Sequence, residues 1–209
     1  MSKQNSVMKY ATSGLSDTLA LFGVPTATVM NIYQDILDKR ANEAFEILVS
    51  EIRDGNFDEQ DQHEVVSVCA RYQRDAMEGV AKQNLRLLAR VINGMAEENE
   101  LRAPTFLKYA NILASLNEEE ITVLGIMACQ KDAQGNPIKG DIEKTKSKAL
   151  YDALQEVVPG DPEIILQTLL RTGLVKMDTG SYYGSSSGVD TSKYTLTPLM
   201  DEILRYTDL

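Results

Sequence analysis

Residues 171–206, RTGLVKMDTGSYYGSSSGVDTSKYTLTPLMDEILRY, hold the long break in an otherwise helical pattern. Leu174 to Met177 and Lys193 to Leu196 are short β-prone runs. The segment between them carries Gly180, Gly184, Ser185 to Ser187 and Gly188, residues suited to a long hairpin loop. Thr197-Pro198 then reads as a helix cap followed by proline at the first helical position. The expectation is one antiparallel hairpin whose inward side chains, Leu174, Val175, Tyr194 and Leu196, join the core, closed by a last helix over LMDEILRY.

Ahead of that hairpin the apolar residues recur at three- and four-residue steps. From Thr26, the series Val29, Ile32, Tyr33, Ile36, Leu37, Ala44, Phe45, Leu48, Val49 and Ile52 predicts a helix of about seven turns with one apolar face, stopped at Asp54-Gly55-Asn56. Val65, Cys69, Tyr72, Ala76, Val80, Leu87, Leu88, Val91 and Met95 predict a second long helix, or a pair bent at Gly79, lying antiparallel to the first. Unbroken, it would run about 50 Å at 1.5 Å per residue, too long for one small domain to cover. A homodimer is the expectation from that face. Pro104 opens a short helix with Phe106, Leu107, Tyr109, Ala110 and Leu113, expected to bridge the two halves.

The second half is punctuated more sharply. Asn117 and Glu120 have capping-box spacing before Ile121, Leu124 and Ala128, with three acidic residues at the positive end of the helix dipole. A turn-rich stretch, Asp132 to Asp141, precedes a helix carrying Ile142, Ala149, Leu150, Ala153 and Leu154. Asp161-Pro162 caps and starts EIILQTLLRTG, which ends at Gly173.

Three helices, a hairpin and a closing helix, with Leu169, Leu170, Gly173, Leu174, Val175, Tyr194, Leu196 and Thr197 at the characteristic places, resemble the winged-helix superfamily over about residues 117–206. The resemblance implies a fold, since such modules read DNA in some proteins and dock other proteins elsewhere. The all-helical first half combined with SLNEEEITVLGIM, LLRTGLV and KYTLTP also resembles the Abi-alpha type of bacterial abortive-infection proteins. That resemblance implies a phage-defence effector and carries no catalytic residues. The fold class is therefore expected to be mainly α: a flexible amino terminus (1–14), a long-helix hairpin or bundle (15–114), and a winged-helix domain with a two-stranded wing (115–209).

Charge separates the functions open to such a fold. The formal net charge is −10, with ten Lys or Arg against sixteen Asp or Glu in residues 1–100 and eleven against fifteen in the rest, so neither half is basic. A nucleic-acid reader gains affinity by placing cations on phosphates. The third helix of the winged-helix pattern, which would enter a major groove, offers only Glu163, Gln167 and Arg171 as its polar stripe. Lys139, Lys144, Lys146 and Lys148 form the best basic cluster and would carry DNA contact in the alternative reading of a transcription regulator, but Asp141 and Glu143 dilute them. Tyr182 and Tyr183, between glycines and serines in the hairpin loop, are candidate anchors for a protein partner together with Glu163, Gln167 and Arg171.

Enzymatic chemistry finds little footing. The only histidine, His63, is six residues from Cys69, about 240° around one helix, so the two do not form a local nucleophile and base. Asp54, Asn56 and Asp58 start a calcium-like spacing, yet Glu59 stands where its glycine belongs and Val65 where its closing glutamate belongs. No phosphate loop, dinucleotide fingerprint, zinc helix or nucleophile elbow occurs, and no cofactor is expected. Cys69 and Cys129 lie in apolar helical patterns rather than in ligand spacing, and no secretory leader precedes them, which suggests a cytoplasmic setting. The uncharged stretch between Asp17 and Asp35 is broken by Gly23-Val24-Pro25 and holds Asn31 and Gln34, a poor membrane span. The sequence is thus expected to encode a non-enzymatic interaction or regulatory protein that uses its winged helix to dock a protein partner.

Overall fold

The computed structural model describes residues 26–52, 57, 60–129, 152, 154–179 and 192–207. Among them are seven helices and one hairpin: α1 (Thr26–Glu51), α2 (Gln62–Glu78), α3 (Lys82–Glu97), α4 (Ala103–Leu113), α5 (Glu118–Cys129), α6 (Pro162–Leu170), β1 (Val175–Thr179), β2 (Ser192–Leu196) and α7 (Pro198–Thr207). The chain is mainly helical, as its periodicity predicts.

The expected bend at Gly79 is a full break. Gly79 is left-handed, φ 94°, and its N–H reaches Ala76 O while Val80 N–H reaches Asp75 O, the paired bonds of a Schellman turn. Val80 then tucks against the core. Arg40 of α1 closes the same end by donating from Nη1 to Met77 O at 2.9 Å, placing a cation at the negative end of α2. Asn99, at φ 57°, repeats the device after α3, with Glu100 N–H on Met95 O at 2.8 Å. At the other end of α2, Asp61 caps the helix by accepting from His63 N–H at 2.8 Å.

These breaks fold the first half into a four-helix arrangement. Tyr72 donates to Ala44 O across the antiparallel α1 and α2, and Glu43 to Lys82 and Glu51 to Arg90 align α1 parallel with α3. Asn84 on α3 donates to both Leu113 O and Leu116 O at 2.7 Å, satisfying carbonyls that α4 leaves open at its end. Helix α4, expected as a bridge, is a member of the bundle, packed on α2 and α3 with Phe106 and Tyr109 fully buried, and it also reaches the last helix, with the Tyr109 ring 6.0 Å from that of Tyr206 and Lys108 3.7 Å from Glu202. The long apolar face inferred for residues 65–95 is consumed within the chain: Leu88, Val91, Ile92 and Met95 have no exposure.

One apolar face for α1 is not what forms. Leu37, Ala44 and Ile47 are buried, but Ile32, Ile36, Phe45 and Val49 are exposed, because α2 and α3 pack against only the side of the helix that carries Ala44 and Ile47. The expected stop at residues 54–56 lies outside the described residues, as does most of the helix expected from Ile142; residues 152, 154 and 155 are helical.

In the second half α5 packs on α6, and the antiparallel hairpin lies beside both, registered Val175 to Leu196 and Met177 to Tyr194. The capping box closes as expected, Glu120 N–H on Asn117 Oδ1 at 2.7 Å and Asn117 N–H on Glu120 Oε2 at 2.9 Å. Leu174, Val175 and Tyr194 are core residues; Leu196, expected with them, is half-buried at the end of its strand. Helix α7 crosses back onto α3, where the Tyr206 backbone lies so close to Gly94 that a Cβ there would sit 2.2 Å from its carbonyl oxygen. The buried side chains from Ala44 to Tyr206 form one cluster.

Candidate functional site

Helix α6 is short, and its inward side is Pro162, Ile165, Leu166 and Leu169. At 100° per residue that choice turns Ile164, Gln167, Thr168 and Arg171 outward. Ile164 is 65% exposed, a large aliphatic side chain in the first turn of the face. The polar stripe singled out in the sequence is on the same side but is not idle. Arg171 donates to Glu120 Oε1 at 3.1 Å, and Glu120 is wholly buried in the capping box of α5. Glu163 accepts from Gln167 at 3.2 Å and from the Tyr194 hydroxyl of β2. The stripe therefore ties α6 to α5 and to the hairpin.

Sequence reasoning brought Glu163, Gln167 and Arg171 to one surface and missed Ile164 between them. With Ile164 and Ile165 adjacent, periodicity alone does not say which turns inward. The spacing of Pro162, Ile165, Leu166 and Leu169 permits an inward face without Ile164, and the packing of α6 selects it. Tyr182, Tyr183, Lys139, Lys144, Lys146 and Lys148 lie outside the described residues.

A concavity of about 310 Å³ lies where the end of α1 meets α3 and α7, walled by Glu51, Arg90, Asn93, Glu97, Glu98 and Arg205. Its polar side chains bond to one another: Arg90 holds Glu51 at 2.9 Å, the neutral amide of Asn93 donates to Glu97 at 2.6 Å, and Arg205 is shared between Glu98 at 3.3 Å and Glu100 at 2.9 Å. Arg205 also stacks 4.7 Å from the Tyr206 ring, whose hydroxyl donates to Glu100 at 2.6 Å. The cluster joins helices to each other.

Burial pushes the half-buried Cys69 thiol up, away from the thiolate a nucleophile needs. Burial, then the Glu51 carboxylate, raises the Tyr72 phenol; burial, then Glu202, raises Tyr109; burial, then its bond to Glu100, raises Tyr206. His63 is exposed at the start of α2 while Cys69 is half-buried further along. The calcium-like segment falls largely outside the described residues, and among those described no three His, Cys, Asp or Glu side chains cluster as a metal site would require. No described helix is long and apolar enough to cross a membrane.

Comparison with protein-family models, with curated proteins and with solved structures returns no match. The α6 face thus stands on its own chemistry.

Proposed function

We propose that residues 117–206 form a winged-helix module and that the protein works without catalysis, docking a protein partner on the outward face of α6. The carrying observation is Ile164, 65% exposed on that face. An aliphatic side chain there gains by leaving water against another apolar surface and gains nothing from a phosphate backbone. The charged neighbours support the same reading: Arg171 is bonded to Glu120, and Asp161 and Glu163 occupy the end of α6 that a phosphate would approach.

The test is paired. Crosslinked capture from a bacterial lysate with the wild-type chain and with Ile164→Ser should show a partner lost from the variant. Labelled random duplex DNA, titrated at physiological salt, should stay unbound below micromolar protein. Sub-micromolar duplex binding with a steep salt slope would overturn the docking reading in favour of a transcription regulator.

The expected homodimer keeps a place in this proposal, with its seat moved. Helix α3 is covered by its own chain, whereas α1 leaves Ile32, Ile36, Phe45 and Val49 exposed. Self-association through α1 would leave α6 free for its partner.

A further inference from the structure

We infer that the segment taken by the α6 face is basic and amphipathic: one large apolar side chain seated on Ile164, with lysines or arginines within a turn or two on either side. The inference rests on the docking reading and names its partner chemistry. Helix α6 is nine residues long, about 13 Å at 1.5 Å per residue, so a single short segment spans it. At its start stand the exposed cap Asp161 and, within the first turn, Glu163. At its end Arg171 reaches Glu120, which brings the first turn of α5 alongside, with Glu118 and Glu119 exposed in that turn.

Arg171 and Glu120 cancel, and among the described residues the exposed or half-buried charges nearby are Glu163, Glu118 and Glu119 against Lys176 on β1. Among the described residues, Ile164 is thus accompanied by more carboxylates than cations, on a chain of net charge −10. A partner of like charge would be repelled before contact, whereas a basic one is steered in and its cations meet the rim while its apolar residue covers Ile164. The arrangement is an apolar anchor with a polar rim, the division of labour found where short helices dock.

The experiment is a selection of random twelve-residue peptides against the full chain, followed by fluorescence anisotropy of the best labelled peptides. The variants are Ile164→Ser, which removes the anchor at an exposed position, and Glu118→Gln/Glu119→Gln, which removes rim charge without touching the Asn117–Glu120 capping box. Expected are peptides in which Lys and Arg outnumber Asp and Glu around a large apolar residue. Their affinity should fall about tenfold or more for Ile164→Ser, fall several-fold for the double Gln variant, and weaken as salt rises. Peptides that depend on Ile164 yet are neutral or acidic and indifferent to salt would overturn the basic-partner inference and leave the docking face standing. Peptides whose affinity is unchanged by Ile164→Ser, or a selection yielding no binder, would overturn both.

Discussion

Glu120 carries two tasks in one side chain. One oxygen closes the capping box on Asn117 N–H and the other accepts from Arg171, while the Glu120 side chain itself is without solvent exposure. Glu120→Ala should therefore cost about 1–3 kcal/mol in urea unfolding, since a cap and a charge-assisted bond go together. Arg171→Ala should cost a similar amount despite its surface position, because it strands a buried carboxylate. Tyr72 offers a pH test. Its phenol, like that of Tyr109, is held above the ordinary 10.0, so the folded state keeps protons that the unfolded chain releases. Stability from these groups is complete below about pH 10 and is lost as pH rises beyond it. The urea midpoint should fall above about pH 10, and the fall should be shallower in Tyr72→Phe, which also loses the bond to Ala44 O at about 0.5–1.5 kcal/mol. An equal slope in the variant would remove Tyr72 from the account.

The elements differ in how much of themselves the sequence displayed. Caps were legible because they are local: Asn117 with Glu120 and Asp161 with Pro162 need only three or four consecutive residues to be read, and both close as their chemistry requires. Gly79 was legible as a bend for the same reason, since a left-handed residue after a helix favours glycine. The hairpin was legible as an element but not in its burial. Leu174 is fully buried where the chain leaves α6, whereas Leu196 sits at the strand end half-covered. Leu174→Ala should accordingly cost about 2–5 kcal/mol and Leu196→Ala distinctly less, about 1–2 kcal/mol, by thermal and urea unfolding. The reverse order would mean that the strand packs in another register.

Across the whole molecule, α7 is the piece that makes the halves depend on each other. It comes after the hairpin in sequence, yet it packs on α3 through the contact of Tyr206 with Gly94 and ion pairs from Arg205 to Glu98 and Glu100. Gly94→Ala inserts a Cβ 2.2 Å from a backbone oxygen. Although alanine is the better helix former, the clash with a main chain should outweigh that gain and cost about 2–3 kcal/mol. Unfolding should be a single transition tracked alike by a probe in α2 and one in the hairpin; two separated transitions would show that α7 does not couple them. Light scattering of the full chain should give a dimer, and Phe45→Glu should return it to a monomer. A wild-type monomer at high micromolar concentration would leave the exposed side chains of α1 without a second copy to cover them.

The sequence by itself determined the helix starts at Asn117, Asp161 and Thr197, the punctuation at Gly79, that a hairpin comes after residue 173, and that the chain is acidic throughout, because these depend on neighbours within a few positions or on a sum over residues. It did not determine which of Ile164 and Ile165 faces water, which side of α1 is left bare, or that α7 returns to α3. Each of those is settled by what another segment, tens of residues away, presses against the helix. Ile165 is buried against that core while Ile164 stands in solvent, and the candidate docking face is made of what the packing left outside.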